Sequence, residues 1–180
     1  MNTQKYKSIT THDMVITSLL IALVFIATRF INIRLPFAGQ GGLVHLGNVM
    51  IYTATLVFGT RKGAIASAVG MTLFDILSGW VVWAPFTFII RWIMAEIIGF
   101  IALRGGKNGT HMKWNIVAIG ISGIWMIIGY YFTEVILYHN WIVPFGSIPG
   151  DMIQVLVSGI LAIPLVKTLQ KTPFVLKSVH

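Results

Sequence analysis

The sequence predicts an all-α integral membrane protein with six transmembrane helices and both termini in the cytoplasm. Hydrophobic residues make up 56% of the 180-residue chain, charged residues make up only 10%, and the mean hydropathy is +0.83. A soluble domain of this length could not bury so much apolar surface, so a lipid bilayer has to cover it. We therefore expect residues 1–180 to form a single multi-pass domain in the plasma membrane.

Six apolar stretches, separated by polar or glycine-rich turns, predict where the helices cross the membrane. They cover about residues 14–31, 46–58, 64–78, 85–103, 114–136 and 151–166. The fourth is the clearest, because its nineteen residues would form about 28 Å of helix, close to the thickness of a bilayer core. Two charged residues, Arg91 and Glu96, lie near its middle and are badly placed around the helix to pair with each other. Each is expected to need a partner from another helix.

The basic residues predict the orientation of the chain. Ten of the thirteen lysines and arginines fall in the N-terminal segment, two short turns and the C-terminal tail: Lys5, Lys7, Arg61, Lys62, Arg104, Lys107, Lys113, Lys167, Lys171 and Lys177. Because short basic segments stay on the cytoplasmic side, these four segments are expected inside the cell. The same distribution explains the net charge of +8 through topology, so we expect no nucleic-acid partner.

A ligand site is expected in the outer half of the membrane, below the longer loops 32–45 and 137–150. Spans three and four fold back on each other about residue 83, so Asp75 and Arg91, each eight residues from that point, should lie at equal depth. The two side chains would form a structural ion pair or a polar anchor in an outward-facing cavity, and one role does not exclude the other.

Other polar and aromatic residues are predicted at the same depth or at the mouth of that cavity. Counting inward from the outer boundary selects Asn48, Tyr52, Trp83, Tyr130, Tyr138 and Gln154. Aromatic walls with a few converging polar groups suit a small planar ligand. An interfacial belt is the alternative role for the tryptophans, and a helix cap is the alternative role for His45.

A pair of small residues on the first span, Ser18 and Ala22, is a candidate docking site for a partner protein. Helices in lipid approach closely where side chains are small, and residues four positions apart share one face. The spacing alone leaves packing inside the monomer as the alternative.

Several motifs are absent from the sequence. The chain has no cysteine, which excludes disulfides and thiolate metal sites. It also lacks a Walker A sequence, the H-E-x-x-H and G-x-S-x-G motifs, and any acidic cluster suited to a metal. We therefore expect no catalytic residue, no metal and no cofactor.

These features together resemble a known family. The stretch GGLVHLGNVMIYTATLVFGTRKGAIASAVGMTLFDILSG, six short helices in 180 residues, and a long outer loop before the second helix are similar to the substrate-binding S-components of energy-coupling factor (ECF) vitamin transporters. The resemblance is to S-components assigned to hydroxymethylpyrimidine or pyridoxine. The family's A-x-x-x-A motif on the first helix corresponds to Ser18-Leu19-Leu20-Ile21-Ala22, with serine as a departure.

The resemblance implies a function. S-components bind a vitamin or precursor tightly near the outer face and dock on a membrane coupling subunit that is driven by two ATPases. They are thought to topple in the membrane to release the ligand inside. ATP hydrolysis would then occur only in the partner subunits.

Two alternatives to this function are open at this point. One is a stand-alone secondary carrier for a small heteroaromatic metabolite, coupled to protons or ions through Glu96 or Asp75. The other is an integral membrane enzyme or a structural partner. The sequence does not rank pyridoxine over hydroxymethylpyrimidine.

Overall fold

The computed structural model describes residues 10–30, 32–34 and 43–172. This part of the chain contains six α-helices: α1 (Thr11–Phe30), α2 (Gly47–Phe58), α3 (Thr60–Leu77), α4 (Ala84–Ala102), α5 (Met112–Tyr138) and α6 (Ile148–Leu169). A short 3-10 helix, Val143–Gly146, precedes α6. A helix therefore lies at the place of every predicted span, and the helix ends differ from the predicted ends by at most four residues.

Length and composition separate the helices into two groups. Four segments are long and apolar enough to cross a membrane, namely α1, α4, α5 and the segment Val143–Leu169, which contains α6. The helix α2 is apolar but has only twelve residues, and α3 contains Arg61, Lys62 and Asp75. The chain is thus a multi-pass membrane protein, and the crossing of all six helices is still a prediction.

One small element departs from an all-helical fold. The strands β1 (Asn32–Arg34) and β2 (Leu43–His45) pair in antiparallel fashion, with Asn32 opposite His45. Backbone groups that leave a helix need new hydrogen-bond partners, and the strand pairing supplies them between α1 and α2. Three-residue strands are too short to give a readable pattern in the sequence.

Some predictions concern residues that the structure does not describe. The predicted cytoplasmic termini include residues 1–9 and 173–180, which lie outside the described ranges. The same holds for Ile31, the predicted end of the first span, and for residues 35–42 of the first outer loop.

The helix α2 lies at the centre of the molecule. Ten of its twelve residues are buried, and it contacts α1, α3, α4 and α6. Around it the helices α1, α3, α4, α5 and α6 pack side by side in that order, and the strands contact both α6 and α1. Because protein covers α2 on most sides, polar side chains on it can be buried without facing lipid.

Close helix contacts fix the position of α3 between α1 and α4. A Cβ atom added at Gly70 would lie 2.9 Å from the carbonyl oxygen of Ile21 in α1. On the other side, Gly99 in α4 packs against the side chain of Thr60 at the start of α3. Glycine allows such backbone approach in membrane proteins. An ion pair of 2.7 Å between Lys62 Nζ and Asp13 Oδ1 joins the beginnings of α3 and α1.

Candidate functional site

The centre of the candidate site is Arg91, near the middle of α4, which is only 2% exposed. Its Nη1 atom donates to Oδ1 of Asn48 in α2 at 2.6 Å and lies 3.0 Å from Sδ of Met126 in α5. The guanidinium carbon is 5.1 Å from the centre of the Tyr130 ring, within cation–π distance. An amide, a thioether and an aromatic face therefore surround this buried charge.

Asp75 and Arg91 do not form the predicted ion pair. Among the described residues the ion pair is the one between Lys62 and Asp13. The Asp75 carboxylate instead interacts with the hydroxyl of Thr87, which lies one turn before Arg91 on the same face of α4. Thr87 also accepts a hydrogen bond of 3.3 Å from the hydroxyl of Tyr130. Asp75 and Arg91 thus belong to one electrostatic cluster, as predicted from their depth, but no direct bridge joins them.

Three buried polar atoms of this cluster have no hydrogen-bond partner among the described residues. They are Nε of Arg91, Oδ2 of Asp75 and Oη of Tyr52, and they make up three of the seven such side-chain atoms found there. Tyr52 belongs to the cluster because its hydroxyl interacts electrostatically with Arg91. An unsatisfied buried donor or acceptor costs about 1–3 kcal/mol. Asp75 and Arg91 are the acidic and the basic side chain among the seven. Two donors and one acceptor in the same region can therefore bind a ligand with complementary polar atoms.

A second polar contact lies beside this cluster, where β2 meets α6. Nε2 of Gln154 is 3.0 Å from Nε2 of His45, and Nδ1 of His45 accepts a hydrogen bond of 3.2 Å from the backbone N–H of Gly47. Burial, with a smaller contribution from the charge of Arg91, lowers the pKa of His45 to about 3. The imidazole is therefore neutral at physiological pH. His45 thus caps the start of α2, as expected, and also contacts Gln154 on α6.

The aromatic residues predicted at the mouth do come together. The ring centre of Trp83 lies 6.3 Å from that of Tyr130 and 6.2 Å from that of Tyr138. All three side chains are half-buried. Since Tyr130 also contacts Arg91, the aromatic group is continuous with the buried polar cluster. The three rings therefore form one aromatic group next to Arg91, and their role as the wall of a ligand site is still a prediction.

Sequence reasoning missed two residues that contact the candidate site. Thr87 and Met126 were not selected, although both contact the predicted cluster. A threonine and a methionine in an apolar helix carry no charge or motif that would single them out. Only the helical spacing of Thr87 to Arg91 could have indicated its position.

The predicted docking residues Ser18 and Ala22 are both exposed on α1. The buried face of this helix is formed by other residues, among them Ile16, Leu20 and Val24. Packing inside the monomer therefore does not account for the small-residue pair. The docking role stays a prediction.

The second charged residue of α4 is placed differently from the prediction. Glu96 is exposed on the outer surface of the helix, whereas Arg91 is buried. Within the part of the chain that the structure describes, no ion pair involves Glu96. The expectation that another helix of this chain supplies its partner is thus not met among those residues.

Comparisons with known proteins give the context of this arrangement. The sequence matches the family described as ECF-type riboflavin transporter, S component, over residues 8–171. An uncharacterised protein of Pyrococcus woesei is 30% identical over 132 residues, which are 72% of this chain and 82% of that protein. The thiamine precursor transporter HmpT of Lactococcus lactis subsp. cremoris (strain MG1363) is 26% identical over 151 residues, covering 84% of this chain and 83% of HmpT. A solved structure of the S component of a bacterial ECF transporter has a TM-score of 0.72 and 27% identity, covering 89% of this chain and 96% of the other.

Proposed function

The chain belongs to the S-component family of ECF transporters, and from that premise we propose that it is the substrate-capture subunit of an ATP-driven vitamin importer. Members of this family are vitamin-binding transporter subunits and not enzymes. The proposed ligand is a hydroxymethylpyrimidine-like or pyridoxine-like vitamin or precursor. It binds from the outer face and is released inside after the chain docks on a membrane coupling subunit with two ATPases.

The observation that carries this proposal is the group of three unpartnered buried atoms at Arg91, Asp75 and Tyr52. A heteroaromatic ring nitrogen or a hydroxyl oxygen can accept from Arg91 Nε, and an amine or hydroxyl can donate to Asp75 Oδ2. A hydrogen bond to a charged group contributes about 1.5–3 kcal/mol. A ligand that makes both bonds would therefore bind far more tightly than an apolar ring of the same size. The rings of Trp83 and Tyr130 would cover its flat face.

The two candidate ligands differ at one substituent that matters for Asp75. Hydroxymethylpyrimidine carries an exocyclic amine and pyridoxine carries a phenolic hydroxyl, and either group can donate to a carboxylate. The relative HmpT is named as a thiamine precursor transporter, which makes hydroxymethylpyrimidine the first ligand to test. Pyridoxine is the second ligand to test, and the name of the matched family makes riboflavin the third.

Ligand binding by the isolated protein tests this proposal. The chain is purified in detergent and titrated with hydroxymethylpyrimidine, pyridoxine and riboflavin in a calorimeter. We expect saturable one-to-one binding of one of them with a dissociation constant below about 1 μM, or about −8 kcal/mol. If thermal denaturation shows that the protein is folded and it binds none of the three compounds, the assignment of substrate class is wrong.

The orientation and the docking contact belong to the same proposal. In this proposal all six helices cross the membrane and both termini lie inside the cell. The regions where α2 meets α3 and where α4 meets α5 are basic, which favours the cytoplasmic side for both; their basic residues are Arg61, Lys62, Arg104, Lys107 and Lys113. The coupling subunit contacts α1 at Ser18 and Ala22. Their exposure supports this contact.

The buried carboxylate of Asp75 is the observation that favours one alternative, a stand-alone carrier coupled to protons or ions. The energy source separates the two functions. A carrier alone in vesicles accumulates substrate under an ion gradient, whereas a capture subunit binds substrate and accumulates none without its partners and ATP.

A further inference from the structure

The sulfur atom of Met126 on α5 contacts two polar side chains of the candidate site. Nη1 of Arg91 lies 3.0 Å from Sδ of Met126, and Nδ2 of Asn48 lies 3.3 Å from the same atom. Nη1 of Arg91 also donates to Oδ1 of Asn48 at 2.6 Å. The three side chains come from α5, α4 and α2 and form a closed ring of hydrogen bonds. All three are buried, so water does not compete for the donors.

The sulfur completes the hydrogen bonds at one end of the guanidinium. An Nη atom of arginine carries two hydrogens, and so does the amide nitrogen of asparagine. Oδ1 of Asn48 accepts one hydrogen of Nη1, and Sδ of Met126 accepts the other. The sulfur of Met94 is further from Nη1, at 3.5 Å. Without Met126, both Arg91 and Asn48 would lose the nearest sulfur acceptor, and a buried donor without an acceptor is unfavourable.

The sulfur also determines which end of the Asn48 amide faces Arg91. An amide can present its oxygen or its nitrogen, and only the oxygen accepts from a guanidinium. Because the nitrogen of Asn48 donates to Met126, the oxygen is turned toward Arg91. The reversed amide would place an N–H donor against a cation.

Holding Nη1 determines where the rest of the guanidinium points. The group is planar, and its donors have fixed positions relative to one another. Nε and Nη2 donate along one edge of this plane, and Nη1 lies outside that edge. In the part of the chain that the structure describes, Nε of Arg91 has no hydrogen-bond partner. It is the donor that the proposed function assigns to the ligand.

We propose that Met126 is a positioning residue for ligand binding, whose sulfur holds Arg91 and Asn48 so that Nε of Arg91 is presented to the ligand. This inference rests on the proposed function and adds a residue that acts through Arg91. Packing alone does not require sulfur at this position, because exchanges between methionine and leucine are usually tolerated in cores. Replacing the sulfur therefore separates its role as an acceptor from its role in packing.

Three single variants make this separation. Met126→Leu removes the acceptor and keeps a similar volume, whereas Met126→Gln supplies a carbonyl oxygen as an acceptor. The matched control is Met71→Leu, because Sδ of Met71 also accepts a buried hydrogen bond of 3.0 Å, from Oγ1 of Thr28, and this contact involves neither Arg91 nor Asn48. Each purified protein is titrated in a calorimeter with hydroxymethylpyrimidine, pyridoxine and riboflavin, and thermal denaturation shows whether it is folded.

A double-mutant cycle separates positioning from a general effect on stability. Met126→Leu is also made in the Arg91→Met background, where no guanidinium is left to hold. Unequal effects of one substitution in two backgrounds report an interaction between the two side chains. If Met126 acts through Arg91, Met126→Leu should weaken ligand binding in the wild-type background and have little further effect in Arg91→Met. A purely structural role would weaken binding by the same factor in both.

For the compound that the wild type binds, we expect Met126→Leu to raise the dissociation constant about five- to tenfold. Met126→Gln should stay within about threefold of the wild type, and Met71→Leu should leave the affinity unchanged. Unchanged affinity in Met126→Leu would overturn the inference, and so would equal losses in Met126→Leu and Met71→Leu or in both Arg91 backgrounds. If Met126→Leu does not fold, Met126→Gln decides alone, and a folded Met126→Gln that binds more than about tenfold more weakly than the wild type would overturn it. A wild type that binds none of the three compounds would instead overturn the proposed function, on which the inference rests.

Discussion

The clearest consequence of the site geometry concerns Arg91. In Arg91→Met a shorter, apolar side chain replaces the guanidinium, so the hydrogen bond to Asn48, the contact with Sδ of Met126 and the unpartnered Nε donor are all lost. The ligand then loses a hydrogen bond from a charged group, which contributes about 1.5–3 kcal/mol. This corresponds to an increase in dissociation constant of about 10- to 150-fold.

Calorimetric titration of the purified variant measures this change, and a thermal denaturation curve shows whether the protein is still folded. Arg91→Lys is the matched control for charge, because lysine keeps the cation but lacks the planar fork that reaches Asn48 and the ligand together. We expect an intermediate affinity for it. A folded Arg91→Met protein with wild-type affinity would refute the assignment of Arg91 to the ligand site.

The double variant Asp75→Asn with Arg91→Met distinguishes a structural pair from a ligand-binding one. A purely structural pair would be repaired by removing both charges, because no buried charge is then left alone. The structure has no direct bridge between the two side chains, so we expect the double variant to fold and still bind ligand poorly. Normal ligand binding by the double variant would show that the two residues serve stability alone.

Three further predictions follow from the fold. Ala22→Trp should abolish ATP-driven uptake and co-purification with the coupling subunit, while ligand binding survives. Loss of ligand binding with co-purification intact would show that Ala22 serves packing within the chain and not docking. Cysteines at Thr3 and Ser178 should resist a membrane-impermeant thiol reagent in intact cells, and labelling of either from outside would contradict the orientation. Burial lowers the pKa of His45 to about 3, so the free energy of unfolding should fall as the pH drops below about 6.5, the histidine pKa in the unfolded chain. Relative to His45→Gln, thermal denaturation should show that the wild type loses up to about 1.4 kcal/mol of unfolding free energy per pH unit. If the two proteins lose stability in parallel as the pH falls, the imidazole of His45 is not buried in its neutral form.

Depth in the membrane was the part of the site that the sequence could predict. Antiparallel helices have the same rise per residue, so counting from residue 83 placed Asp75 and Arg91 in one cluster. Long apolar runs predicted the helix positions for a related reason, since a helix that crosses lipid needs a minimum length of apolar residues.

Rotation of each helix about its own axis was not predictable in the same way. The rotation depends on how each helix packs against its neighbours. In α4 it brings Arg91 into contact with Asn48 and Met126, and Thr87 into contact with Asp75. The same rotation turned Glu96 outward. The contact between His45 and Gln154 joins residues 109 positions apart, and no local pattern in the sequence reports such a contact.

Uptake by reconstituted vesicles tests the central claim most directly. Vesicles contain either the chain alone or the chain with its coupling subunit and two ATPases, and labelled ligand is added outside, with and without ATP inside or an ion gradient. We predict that the chain alone binds ligand and accumulates none under any gradient, and that accumulation requires the partners together with ATP. Accumulation by the chain alone under an ion gradient would contradict the account and identify the protein as a carrier.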